Sequence, residues 1–102
     1  MANKKNTKQQ NKTEAKDTAV AFTDHGWQDY TYWASADSKV LSRINSLIEE
    51  CRRTPFKGTG KPEPLKYDLS GFWSRRITDE HRLVYMYEGG TLYIVACRYH
   101  YE

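Results

Sequence analysis

Long apolar runs are missing from this 102-residue chain, and no stretch approaches the length needed to cross a bilayer. The first residues are polar, so we expect no secretory leader and a cytoplasmic location. Cysteine is scarce, with Cys51 and Cys97 the only two. Both occupy apolar positions of predicted elements, and we expect them to be buried as small hydrophobic residues in a reducing compartment.

Signatures of metal and nucleotide sites are also missing. The three histidines and two cysteines lack paired metal-ligand spacing. The run Lys57-Gly58-Thr59-Gly60-Lys61 precedes no predicted helix and lacks the full P-loop spacing. No nucleophile elbow occurs. We therefore expect no metal and no cofactor.

The residues that are present suffice for one small domain. Hydrophobic residues make up 38% of the chain and aromatic residues 14%, which is enough for one compact core. Residues 1–17 are Lys, Asn, Gln and Thr with almost nothing apolar, which predicts a disordered basic tail. Residues 18–102 form the predicted domain. Within it, residues 52–82 carry eight basic residues against four acidic ones, net +4, which favours phosphate binding.

Periodicity predicts the elements of this domain. Val20 and Phe22 alternate in a short strand, and Thr23 can cap a first helix. A second helix, ended by Pro55, is indicated by one apolar stripe. The members of that stripe are Val40, Leu41, Ile44, Leu47, Ile48 and Cys51.

The second half of the domain is typical of strands. A turn-rich loop over residues 54–64 precedes three strands at about residues 69–77, 81–87 and 91–99. The order βααβββ predicts an α+β domain, with a small twisted, mainly antiparallel sheet and both helices packed on one face.

The register of the last hairpin is left open by the sequence. Gly89-Gly90 predicts the turn. If these glycines form a two-residue turn, Arg82 and His100 point to opposite faces of the sheet, whereas a slip of one residue puts them on the same face. A shared site therefore needs the slipped register, a bulge, or a chain that leaves strand geometry after Tyr99.

Three side chains in this domain have complementary chemistry. Glu63 lies between Pro62 and Pro64, which restrict its backbone. Arg82 opens an apolar strand, and His100 lies near the chain end. A carboxylate can take the proton of a ribose 2′-hydroxyl, a cation can stabilise phosphate oxygens, and an imidazole can protonate the leaving 5′-oxygen. Each residue alone fits an ordinary surface position, but together they favour RNA cleavage without a metal.

Longer strings of the sequence resemble one protein family. The strings are Arg52-Arg53-Thr54-Pro55-Phe56, Lys61-Pro62-Glu63-Pro64-Leu65, Leu69-Ser70-Gly71-Phe72-Trp73-Ser74-Arg75-Arg76-Ile77, His81-Arg82-Leu83-Val84-Tyr85 and Ala96-Cys97-Arg98-Tyr99-His100-Tyr101. Over about residues 19–101 the chain resembles the YoeB toxins of the RelE superfamily. The resemblance implies a RelE-like fold and an mRNA endonuclease that acts in the A site of the 70S ribosome. It also implies a homodimer and a YefM-like antitoxin as partners.

The resemblance further implies roles for individual residues. The family residue matching Glu63 is the general base, and that matching His100 is the general acid. The family residue matching Arg82 stabilises the phosphate, and that matching Tyr101 helps to position the substrate. The candidate RNA-binding residues are Lys66 and Arg76, which match basic residues close to the nucleic acid, together with Lys61, Trp73 and Arg98. We expect the antitoxin segment to be acidic and apolar and to bind at Lys66, Arg75 and Arg76.

Two features depart from the family pattern, and two other functions stay open. Residues 1–18 lie outside the pattern, and Glu102 follows the tyrosine at which the family chains end. A non-catalytic gyrase inhibitor with a related fold would not use Glu63 or His100. A single-stranded RNA-binding module would use the aromatic rings as stacking platforms. The presence of Glu63, Arg82 and His100 together favours cleavage.

Overall fold

The structure, a computed structural model, describes residues 18–99. The predicted tail at residues 1–17 lies outside the described residues, as do His100, Tyr101 and Glu102. In the described part of the chain, no helix combines the length and apolar character needed to cross a membrane.

Two helices and one five-stranded sheet make up the described domain. In chain order the elements are β1 (Ala19–Phe22), α1 (Asp24–Ala36), α2 (Ser38–Arg53), β2 (Glu63–Pro64), β3 (Trp73–Arg76), β4 (Arg82–Glu88) and β5 (Thr91–Ala96). The strand order across the sheet is β1-β5-β4-β3-β2. β1 runs parallel to β5, and the other neighbouring strands are antiparallel. The predicted α+β class is confirmed.

Both helices begin at a side-chain cap and bury one face against the sheet. Thr23 Oγ1 accepts the N–H of Gly26 at 3.0 Å, and Asp37 Oδ1 accepts the N–H of Lys39 at 3.0 Å. The core contains Trp33 of α1, four residues of the predicted stripe of α2, and alternate residues of β4 and β5. The α2 and strand members are Ile44, Leu47, Ile48, Cys51, Leu83, Tyr85, Leu92 and Ile94. Both cysteines are buried and free, as predicted.

The structure corrects the predicted strand boundaries. Glu63–Pro64, predicted as loop, is a two-residue edge strand paired with β3, so the order is βααββββ. An edge position suits Pro64, which has no N–H to donate. The strand predicted over residues 69–77 is limited to Trp73–Arg76. Tyr67–Leu69 forms a 3₁₀ turn, and residues 70–71 continue the turn between β2 and β3.

The β4–β5 hairpin contains a bulge. Gly89 and Gly90 have φ of 58° and 79°, as a two-residue type I′ turn requires. The two-residue register holds next to the turn, but further along Val95 is an extra residue on β5. Beyond the bulge, Arg82 N donates to Tyr99 O at 3.0 Å. The bulge is thus one of the arrangements left open, and β5 ends at Ala96 instead of the predicted residue 99. Whether Arg82 and His100 share a face stays a prediction, because His100 lies outside the described residues.

Candidate functional site

A cleft of about 270 Å³ lies on the sheet face opposite the helices. Its lining residues are Gly60, Lys61, Glu63, Leu65, Ser74, Arg76 and Arg82. Strand pairing explains why they meet, since Glu63 lies opposite Ser74 and Arg76 lies opposite Arg82. Ser74 and Arg76 are two residues apart on β3, so they share one face. The fold thus places a carboxylate and three cationic side chains around one cleft.

Glu63 presents an exposed carboxylate at the edge of this cleft. Pairing with β3 holds its backbone, and Leu65 N donates to Phe72 O at 2.8 Å just beyond. None of the ion pairs formed within residues 18–99 involves Glu63. The carboxylate is therefore available to accept a proton from a molecule in the cleft.

Arg82 is half-buried and held along one side of its guanidinium group. Nη1 donates to three carbonyl oxygens of the β3–β4 connection, those of Thr78 at 2.7 Å, His81 at 3.1 Å and Asp79 at 3.2 Å. Nε and Nη2 make no hydrogen bond within residues 18–99. A guanidinium anchored through Nη1, with Nε and Nη2 not bonded to any described residue, suits two-point binding of phosphate oxygens.

Arg75, next to the cleft residues in sequence, points to the opposite side and is fully buried. Its guanidinium donates to Glu50 Oε2 at 2.9 Å, Tyr85 Oη at 3.2 Å, Lys57 O at 2.9 Å, Thr59 O at 3.2 Å and Thr54 O. These bonds fasten the loop over residues 54–60 to the sheet and to α2. That loop leads directly into β2, so Arg75 supports the position of Glu63.

The burial of Arg75 corrects one expectation from the sequence. A fully buried guanidinium is not accessible to an antitoxin segment, which leaves Lys66 and Arg76 as the exposed cations of that set. On β3, Arg75 lies opposite the core residue Leu83, a pairing that the structure reveals and the sequence alone does not. Burial also raises the pKa of Tyr85 to about 12, so its hydroxyl stays protonated and donates to Pro55 O at 2.6 Å.

The end of β5 is held by two side chains of α1. Asp29 Oδ2 accepts the N–H of Cys97 at 3.0 Å, and Trp33 Nε1 donates to Cys97 O at 2.8 Å. Burial, aided by the neighbouring Asp29 carboxylate, raises the pKa of the Cys97 thiol to about 12. Burial likewise raises the pKa of Cys51 to about 11. Neither thiol is an activated nucleophile at neutral pH.

Three candidate RNA-binding residues lie outside the cleft. Lys66 lines an adjoining cavity of about 250 Å³ that shares Glu63 and Leu65 with the cleft. Trp73 is on the helix side of β3, with its ring 4.9 Å from that of Phe56. The Arg98 guanidinium lies 3.6 Å from the centre of the Tyr32 ring. Binding of RNA by these three residues stays a prediction.

A larger cavity, of about 630 Å³, runs along the outer side of α2. It is lined by residues such as Arg43, Glu49 and Arg53, and neither Glu63 nor Arg82 is among its lining residues. We place the candidate site in the smaller cleft because the Glu63 carboxylate and the cations converge there. Within residues 18–99, no three His, Cys, Asp or Glu side chains are placed to hold a metal ion together.

The sequence matches one family described as YoeB-like toxin of bacterial type II toxin-antitoxin system, over residues 22–101. Among characterised proteins, Toxin YoeB from Streptomyces coelicolor is 62% identical over 82 residues, covering 80% of this chain and 98% of that protein.

Solved structures of similar proteins have the same fold. The YoeB/ParE toxin from Agrobacterium tumefaciens is 48% identical, with a TM-score of 0.79 over 82% of this chain and 100% of that one. A YoeB dimer from Staphylococcus aureus is 40% identical, with a TM-score of 0.77 over 83% of this chain and 99% of that one. A chain of the YoeB-YefM complex from the same species is 39% identical, with a TM-score of 0.76 over 82% of this chain and 98% of that one.

Proposed function

This chain belongs to the YoeB-like toxins of bacterial type II toxin–antitoxin systems, and from that premise we propose that it is a ribosome-dependent endoribonuclease. Its substrate is mRNA in the ribosomal A site. The observation that supports the proposal most directly is the cleft in which Glu63, Arg76 and Arg82 meet. A base and several cations around one cavity are what transfer of a phosphodiester to a neighbouring hydroxyl requires.

The proposed reaction begins at the ribose 2′-hydroxyl. Glu63 takes its proton, and the 2′-oxygen forms a bond to phosphorus. The open side of the Arg82 guanidinium binds the non-bridging oxygens as their negative charge increases, and Arg76 and Lys61 add positive charge to the same cleft. The bond from phosphorus to the 5′-oxygen then breaks, and His100 donates a proton to that oxygen.

The products of this reaction are a 2′,3′-cyclic phosphate and a 5′-hydroxyl. One proton moves from the 2′-hydroxyl to Glu63 and one from His100 to the leaving oxygen, so no external reagent is consumed. Tyr101 helps to position the substrate. Because the protein's own side chains supply base, acid and cation, we expect cleavage to proceed without a metal ion.

The proposed partners follow from the relatives and from the charged surface. We infer that this chain binds a YefM-like antitoxin and forms a homodimer, as described for the proteins from Staphylococcus aureus. The exposed cations Lys66 and Arg76 suit an acidic antitoxin segment that covers the cleft. We place this function in the cytoplasm, where ribosomes and mRNA are found together.

The test is single-turnover cleavage of mRNA on programmed ribosomes, with ribosome binding measured separately. Glu63→Gln keeps the shape of the side chain and removes the base, and a general base contributes roughly 10²–10⁴-fold. We expect Glu63→Gln to lower the cleavage rate by that factor, with little change in ribosome binding. Glu49→Gln is the matched control, because Glu49 is exposed, pairs with Arg52 on α2 and lies outside the cleft.

Arg82→Lys and His100→Gln complete the series. Lysine keeps the charge but loses the planar fork, and glutamine removes the acid, so both variants should cleave much more slowly than wild type. Near wild-type rates for both Glu63→Gln and His100→Gln would show that the catalytic assignment is wrong. Bound but intact RNA would indicate an RNA-binding module, and arrested supercoiling would indicate a gyrase inhibitor.

A further inference from the structure

The main chain of Tyr99 is held on both sides by neighbouring residues of β4 and its preceding turn. Its N–H donates to His81 Nδ1 at 2.7 Å, and its carbonyl accepts from Arg82 N at 3.0 Å. Tyr99 has φ of 68°, in the left-handed region that non-glycine residues adopt seldom. A conformation of this kind persists only where surrounding contacts hold it. We call the pair of bonds to Tyr99 the tail anchor.

The His81 ring is itself held in place. It packs against the Trp33 ring in a T-shaped arrangement, with ring centres 4.8 Å apart, and lies 5.6 Å from the Tyr99 ring. The N–H of His81 donates to Thr78 Oγ1 at 3.1 Å. Because a backbone N–H can only donate, Nδ1 is the acceptor, and in the neutral ring the proton lies on Nε2.

We propose that His81 is a positioning residue for the cleavage reaction. By accepting the N–H of Tyr99, it fixes the backbone of the residue that directly precedes His100. The inference rests on the proposed function, since it takes His100 as the acid. Consecutive Cα atoms are about 3.8 Å apart, so fixing the backbone of Tyr99 restricts where the Cα atom of His100 can lie.

The tail anchor also links Tyr99 to Arg82, the proposed phosphate-binding cation. Arg82 contributes its backbone N–H to Tyr99 and its side chain to the cleft. A general acid has to reach its oxygen within about 2.6–3.2 Å. A displacement of about 1 Å can cost about 10²-fold in rate. Removing one of the two bonds to Tyr99 should therefore slow the chemical step and leave ribosome binding unchanged.

Three variants of His81 separate the position of the acceptor from its polarity. His81→Asn places an oxygen where Nδ1 lies, His81→Gln places it one atom further out, and His81→Leu removes it. We expect His81→Leu and His81→Gln to lower the cleavage rate at saturating ribosomes about 10–100-fold. The ribosome concentration that gives half the maximal rate should not change. His81→Asn should cleave at close to the wild-type rate. Equal losses in Asn and Gln would overturn the proposal, and this comparison decides it even if the Leu variant does not fold.

Amide hydrogen exchange of Tyr99 in the toxin alone provides a readout that does not depend on RNA. Slow exchange is expected in wild type and His81→Asn, and fast exchange in His81→Gln. Equal exchange in all three would overturn the anchor. If exchange follows the expected order but wild type does not cleave mRNA, the proposed function fails and the role of His81 in holding Tyr99 is supported.

Discussion

Replacing Arg75 with methionine should destabilise the domain strongly. Methionine has similar length but no donor, so five acceptors lose their partner, among them the Glu50 carboxylate. Removing one member of a buried ion pair costs roughly 3–5 kcal/mol. The Glu50 side chain is 35% exposed and still accepts from Thr59 N at 3.0 Å and Thr59 Oγ1 at 3.1 Å. We therefore expect Arg75→Met to lower the free energy of unfolding by about 3 kcal/mol, the lower end of that range.

Urea unfolding of a double-mutant cycle measures this contribution. The variants are Arg75→Met, Glu50→Gln and the two combined, and we expect the pair to be coupled by about 1–3 kcal/mol. Arg76→Met is the matched control for stability, because this neighbour is exposed and lies on the opposite face. Its unfolding free energy should stay within about 0.5 kcal/mol of wild type.

A functional consequence should accompany the loss of stability. Without Arg75, the loop over residues 54–60 loses its attachment to the sheet, and Glu63 follows that loop in the chain. Amide exchange in the loop should accelerate, and cleavage should slow under conditions where the variant is still folded. An unfolding free energy for Arg75→Met within about 1 kcal/mol of wild type would refute the role assigned to this residue.

Two further predictions concern the core. A Cβ added at Gly26 would collide with the backbone oxygen of Ile94, so Gly26→Ala should cost about 1–3 kcal/mol. An unchanged melting temperature would contradict this. The buried Cys51 and Cys97 have pKa values raised to about 11 and about 12, so their contribution to stability is complete below the unfolded thiol pKa and is lost as pH rises through these values. The unfolding free energy should fall from about pH 9 upward, and it should fall less steeply in Cys51→Ala than in wild type. The same pH dependence in both proteins would contradict this prediction.

The regular elements of this domain could be predicted, and the irregular ones could not. The stripe from Val40 to Cys51 is long enough for a helical period to be read, and the structure confirms α2. Glu63–Pro64 is too short to show the alternation of a strand, so the sequence predicts a loop where the structure has β2. The bulge at Val95 lies in the uniformly apolar run from Leu92 to Ala96, where an extra residue breaks no alternation.

The candidate site shows the same limit in chemical terms. The chemistry of Glu63 and Arg82 points to them in the sequence, and strand pairing brings them to one cleft, while their catalytic roles stay a prediction. The sequence predicts Arg75 to be an accessible charge for the antitoxin, whereas the structure buries it. Its burial depends on backbone carbonyls of the loop over residues 54–60, which no local pattern of residue types encodes. The acceptor role of His81 likewise depends on a residue 18 positions away.

The parallel pairing of β1 with β5 has a consequence for biosynthesis. Ala19–Phe22 lies beside residues 91–94, which are added to the growing chain about 70 residues later, several seconds at roughly 5–20 residues per second. Until β5 is made, β1 has no neighbour and β4 has one bare edge, and long-range pairing of this kind is slow to form. The strands that bring Glu63 and Arg82 to one cleft, β2, β3 and β4, are therefore complete in the nascent chain before β5 covers the other edge of β4.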